Sequence, residues 1–178
     1  MGKINYVIAV IVIALGIIAV SMAMGTNNNV NISLTEKRER FEDWSVLCLQ
    51  NDSNRNGSDI CFGEYSQTEG STAILTAQLK MIDRAGELIP RLKVIAPLGI
   101  FLPAGVSLTL PDQDPFIVPV QFCDVEGCFV NLDLASDVVQ ALSNSDELGV
   151  SYLRSNHEPL NLAIKLNGFI DALAYLKQ

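Results

Sequence analysis

The spacing of apolar positions along the chain changes several times, and each change marks an element. Tyr6–Met24, YVIAVIVIALGIIAVSMAM, is continuous: nineteen residues without a charge. Such a run is long enough to cross a bilayer as a helix, and it also suits the apolar core of a secretory signal. Ser21 and Ala23 occupy the small-residue positions for a cut after Ala23, so residues 1–25 are read as a signal peptide or a membrane anchor. Residues 26–40 then lose all periodicity. They are Asn-rich at first and charged over Thr35–Arg40, which predicts a polar linker or a short turn of helix.

From Phe41 the spacing becomes that of strands. Asp43–Leu49 alternates and places Trp44, Val46 and Cys48 on one face. Across a loop with Asn56-Gly57 as its turn signal, Ile60–Gln67 returns as a second strand. Ala73–Ile82 and Leu88–Ala96 form a further hairpin around Asp83–Gly86, and Val106–Leu110, Phe116–Phe122 and Phe129–Leu134 follow. Pro97, Pro103, Pro111, Pro115 and Pro119 punctuate this central stretch, which excludes a long helix there. Glu147–Arg154 and Leu160–Leu166 complete the strands. Two segments have helical spacing instead. Ala135–Ser143 follows Asp133 as a cap, and Asn167–Lys177 has Asn167 as its N-cap and a stripe of Phe169, Leu173 and Leu176.

Short strands separated by turns, with helices that do not alternate with them, predict an all-β domain over residues 41–178. The architecture expected is a β-sandwich, immunoglobulin-like with Greek-key connections, closed by a short C-terminal helix. A closed barrel is the alternative.

Composition adds the partner class. The 178 residues carry 12 Lys and Arg against 20 Asp and Glu, a net charge of −8, and this balance excludes nucleic acid, whose phosphates demand clustered cations. A domain of this length buries a real core without metal or dense disulfides. The four cysteines, Cys48, Cys61, Cys123 and Cys128, therefore read as reinforcement. They permit three pairings; locality favours Cys48 with Cys61 and Cys123 with Cys128. A redox pair is the competing reading, but four residues separate Cys123 from Cys128, Asp124 and Glu126 among them, and carboxylates oppose thiolate formation. Paired thiols after an apolar leader point to an oxidising compartment outside the cytoplasm.

Catalytic chemistry finds little foothold. His157 is the one histidine, in the Ser155–Pro159 loop, and no nucleophile motif accompanies it. Asp112, Asp114, Asp124 and Glu126 lack the ligand spacing of a calcium loop and read as a solvated acidic rim, so neither a cofactor nor a metal is expected. Trp44 reads as core, packed on a disulfide.

Several segments resemble the invasion-associated locus B proteins of Gram-negative envelopes. They are Phe41–Cys48 (FEDWSVLC), Cys61, Pro97–Leu110 (PLGIFLPAGVSLTL), Gln121–Val130 (QFCDVEGCFV) and Leu166–Leu173 (LNGFIDAL), in that order. The resemblance implies an exported β-sandwich with two disulfides and supplies no catalytic residues. The long uncharged N-terminal run departs from a simply released protein.

The expected function is therefore a non-enzymatic binding module of the cell envelope. It is periplasmic, and it is held in the inner membrane through residues 6–24 if these are uncleaved. Its partner is another envelope protein, and in the anchored form it is an accessory subunit of a membrane complex. The alternatives are a secreted adhesion or invasion factor that contacts host cells, and a thiol-dependent enzyme.

Overall fold

A computed structural model of the chain describes residues 34–51, 59–110 and 113–178. The apolar run 6–24, residues 26–33, the turn at Asn56-Gly57 and Asp112 lie outside the described residues. Leu34–Gln178 forms one compact unit, built mostly of strands in two antiparallel sheets.

The larger sheet has seven strands in the order β1-β2-β3-β4-β5-β9-β8. These are β1 Leu34–Phe41, β2 Trp44–Asn51, β3 Ile60–Glu69, β4 Thr72–Arg84, β5 Glu87–Ala96, β8 Phe122–Cys123 and β9 Cys128–Asp133. The smaller sheet has four strands in the order β11-β10-β6-β7: β6 Val106–Thr109, β7 Phe116–Val118, β10 Glu147–Leu153 and β11 Pro159–Lys165. Helix α1 spans Ser136–Ser143, and α2 spans Phe169–Leu176. The first five strands follow one another as a simple meander, where Greek-key connections were expected; the chain changes sheets only after Ala96.

Three expectations are corrected. Residues 34–40 are not a linker: they pair residue by residue with β2, from Leu34 opposite Asn51 to Phe41 opposite Trp44. The charges that hide this strand suit a sheet edge, where both faces reach water and unpaired backbone must be kept from other chains. Lys37 marks its inner side, its Nζ donating to the Tyr175 hydroxyl of α2 at 3.0 Å.

Phe116–Phe122 is not one strand. It divides into β7 and β8, which belong to different sheets. Pro119 lies in the break, and a residue without an N–H cannot continue a ladder.

Both helix caps also differ. Asp133 accepts from Nε of Arg91 and lies 2.9 Å from Nη1 of Arg84, while Asn167 donates to the Asp43 carboxylate at 3.1 Å. The helices start instead after Ala135 and Gly168. Gly168 has φ of 80° and lies so close to the Phe41 carbonyl that a Cβ there would strike it.

The two sheets cross rather than run alongside each other. Along β11, Leu160 shares a cleft with Ile74 of β4, the Ala163 carbonyl accepts from the Tyr65 hydroxyl of β3 at 3.3 Å, and the Lys165 carbonyl accepts from Nε1 of Trp44 on β2 at 2.9 Å. One strand of the small sheet thus passes under three strands of the large one, as in orthogonal packing. The inner face left over is covered by α2. Trp44, 1% exposed, sits at this junction with its ring centroid 5.3 Å from Phe169 and 5.8 Å from Tyr65.

Two predictions follow from these contacts. Trp44→Ala should lower stability by about 4 kcal/mol, the scale for emptying a large aromatic site, read as a shifted urea midpoint. An unchanged midpoint would remove Trp44 from the junction. The second concerns Asp133, whose hydrogen bond from Arg91 holds its carboxyl below the ordinary carboxylate range. Its contribution is complete above the unfolded value of about 3.9 and fades as pH falls through the lower folded value. Asp133→Asn should cost about 1 kcal/mol at neutral pH, and the gap to the parent should close below pH about 4 in paired unfolding curves.

Candidate functional site

Strand register gathers four connections at one end of the domain. Ala96, the last residue of β5, pairs with Cys128, the first of β9, so Pro97–Gly105 and the Asp124–Gly127 turn leave the sheet at the same rung. The β10–β11 turn joins them. Ser155 donates its N–H to the Gly99 carbonyl at 2.8 Å, and Phe101 donates to the Leu153 carbonyl at 2.7 Å. The β3–β4 turn completes the group, because Glu69 and Ile74 share a cleft with Pro97, Leu98, Tyr152 and Arg154. Leu34, by contrast, pairs with Asn51 at the other end of its strand, so the chain enters the domain away from these loops.

Disulfides fix the frame. Cys48 is bonded to Cys61 across β2 and β3, where the two residues are register partners, and Cys123 to Cys128 across β8 and β9. The second bond closes a turn that hydrogen bonds already hold: Asp124 donates its N–H to the Gly127 carbonyl at 2.9 Å, and its carboxylate accepts from the Glu126 N–H at 2.8 Å. Gly127, with φ of 147°, packs against the backbone of β5. A Cβ there would come to 2.4 Å from the Ala96 carbonyl oxygen. The turn is thus tied covalently on one side and sterically on the other.

This tight geometry expels apolar side chains. Val125 is 95% exposed at the tip of the disulfide turn, Leu98 is 59% exposed between Pro97 and Gly99, and Leu102 is 51% exposed in a short 3₁₀ turn. Just behind the disulfide turn, exposed Phe122 stacks on buried Phe129 at 4.5 Å, and Nζ of Lys93 sits 4.9 Å from the Phe129 ring. Between the loops lies an open cleft of about 460 Å³, with Ile74, Pro97, Leu98, Ile100 and Leu160 on its apolar side and Glu69, Arg154, Ser155 and Asn156 on its polar side. Three exposed apolar side chains on the turns of one end make this end the candidate contact site.

The residues singled out by chemistry are placed apart. His157 lies in the β10–β11 turn with φ of 64°, its ring 4.4 Å from that of Phe101, and belongs to the loop end. Asp124 and Glu126 lie on the disulfide turn, whereas Asp114 precedes β7 at the Leu108 end of that strand pair. Among the described residues, no three His, Cys, Asp or Glu side chains gather where they would hold a metal ion, and no helix is long and apolar enough to cross a membrane. Sequence reading missed Leu98, Leu102 and Val125 as surface residues. A signal was present, since a leucine between proline and glycine, or a valine inside a four-residue cysteine-bounded turn, has little chain on either side to fold it inward.

Removing the second bond should leave the domain folded but loosen its tip. Cys123→Ser with Cys128→Ser should cost about 2 kcal/mol on a loop-entropy estimate and raise amide exchange at Asp124–Gly127 while β2–β4 stay protected. Exchange unchanged at the tip would mean that hydrogen bonds and Gly127 hold it without the disulfide.

Comparison with known proteins bears on the whole domain. A family model described as "Invasion associated locus B (IalB) protein" matches residues 44–177. Among solved structures, the chain is similar to the crystal structure of invasion associated protein B from Bartonella henselae. The match has a TM-score of 0.67 and 22% identity, and covers 79% of this chain and 95% of that one. No curated protein sequence matches.

Proposed function

The chain belongs to the invasion associated locus B family, and on that premise we propose that it is an exported envelope protein that works by binding another protein, not by catalysis. The observation that carries this reading is the loop end, where a disulfide-bounded turn holds Val125, and the neighbouring Pro97–Gly105 connection holds Leu98 and Leu102, out in water. Rigid presentation lowers the ordering cost of association, so small exposed anchors contribute more to affinity than they would on a mobile loop. Two disulfides fit an oxidising compartment, which supports the periplasm as the site of action.

The uncharged run at residues 6–24 suits retention in the inner membrane. The chain enters the domain at Leu34, at the end of β1 remote from the loops. On that reading it is an accessory subunit of an envelope complex.

The test is recovery of tagged full-length protein from native membranes in mild detergent, with mass spectrometry of what it retains. A stoichiometric envelope protein should accompany the parent chain with residues 1–24 still present. It should be lost from a Leu98→Asp, Val125→Asp variant that melts like the parent. It should be kept by Ile60→Asp, which alters an equally exposed residue at the other end. A chain recovered alone and trimmed near Ala23 would overturn the anchored reading in favour of a released factor.

A further inference from the structure

The two faces of the large sheet differ in what they carry. Trp44, Val46 and Cys48 are buried on the inner face, beneath α2 and the small sheet, so Leu47 and Leu49 point the other way. Register extends this outer face across neighbouring strands. Leu47 stands opposite Phe62 and Leu49 opposite Ile60, while Ile82 stands opposite Ile89. The β3–β4 ladder pairs Gly63 with Leu79, and continuing it brings Phe62 beside Lys80 and Ile60 beside Ile82. The six apolar residues thus form one band over β2–β5. Ile60 is 67% exposed, and the other five are partly exposed.

Cations gather on the same face. Arg38, Arg40, Lys80, Arg84, Arg91 and Lys93 share it with Glu36, Glu64, Glu87 and Asp133, six positive charges against four negative. The whole chain has the opposite balance, 12 Lys and Arg against 20 Asp and Glu. Arg38 takes up Glu36 and Glu64, and Arg84 and Arg91 take up Asp133. Arg40 and Lys80 are exposed and in no ion pair among the described residues.

We propose that this outer face rests on anionic phospholipid. The proposal builds on the envelope location and is independent of the loop end. Headgroup phosphates meet the cations, Ile60 enters between the headgroups, and the aliphatic band beside it follows, the combination by which a surface binds at a membrane interface. The acidic remainder of the domain is repelled by the same charge, so this face is the one turned to the lipid. Residues 25–33 are all that separate the uncharged run from Leu34, which pairs with Asn51 two rungs from Leu49 and Ile60. With that run retained in the membrane the contact is intramolecular, and a weak face suffices.

Full-length protein with labelled isoleucine and leucine methyls is placed in nanodiscs of phosphatidylcholine, alone or mixed in equal parts with phosphatidylglycerol. Each disc carries a lipid with a nitroxide headgroup. In anionic discs the methyls of Leu49, Ile60, Ile82 and Ile89 should broaden while those of Leu98 and Leu102 stay sharp, and salt should weaken the effect. An Arg40→Glu, Lys80→Glu variant that melts like the parent should lose relaxation enhancement on the order of tenfold, and Ile60→Asp should lower it too. Outer-face methyls that stay sharp, or loop-end methyls that broaden in their place, would overturn the proposal. Equal broadening in neutral discs, or in the charge-reversed variant, would overturn anionic lipid as the occupant. A native chain fractionating with the cytoplasm would sink the envelope reading by itself, whatever the discs show.

Discussion

The rings of Trp44, Tyr65 and Phe169 meet where both sheets and the C-terminal helix converge, and the domain's geometry depends on that junction. Seven strands present more inner face than four crossing strands cover, so part of the face over β1–β4 needs another lid. Helix α2 is that lid, with Phe169, Ala172 and Leu173 buried beneath it. Gly63 on β3 lies beneath it, where an added Cβ would press on Leu79 of β4 at 3.3 Å and reach ordinary contact with Leu176 at 3.7 Å. Trp44 connects the layers in two ways, through ring contacts with α2 and β3 and through its hydrogen bond to β11. A hydroxyl and an indole N–H buried between sheets must find acceptors, and the carbonyls of one edge strand supply them in sequence.

That arrangement also fixes what the loop end is made of. Because β5 and β9 are register partners up to Ala96 and Cys128, the Pro97–Gly105 connection and the Asp124–Gly127 turn leave together at the end of the sheet. The disulfide and Gly127 then limit the turn's conformations from both sides. Exposed apolar side chains here follow from local geometry that leaves them no inner face, and the interior is filled by other residues.

Much of this was legible in the sequence, and the misses share a physical cause. Strands with one wet face announce themselves by alternation, and β2–β6, β9, β10 and β11 fall where the spacing placed them, within a residue or two at their ends. Strand β1 did not announce itself, because an edge strand in water has no apolar face to display: Thr35–Arg40 is charged or polar throughout. The division of Phe116–Phe122 turned on Pro119, whose effect on pairing is local while the choice of sheet is not. The caps failed through competition. Asp133 and Asn167 are residues suited to capping, but Arg91 and Asp43, far away in sequence, engage them instead. At the loop end the acids were read as a rim, and the apolar residues between them were overlooked, because alternation says nothing about a turn.

If the domain binds a protein as proposed, its four sheet edges favour contact through side chains of the loops over strand addition. An exposed edge offers a row of free N–H and C=O groups, and a partner strand needs several in succession. Here β8 is two residues long and β7 three, the latter bounded by Pro115 and Pro119. Strand β11 opens with Pro159, which has no N–H to give. Strand β1 is the longest edge, and it carries Glu36, Lys37, Arg38, Glu39 and Arg40 in succession, a run that keeps an apolar strand from settling alongside. With β7 and β8 short, β11 lacking its first donor and β1 charged, the proposed binding is better served by the apolar side chains that the turns hold out than by an added strand.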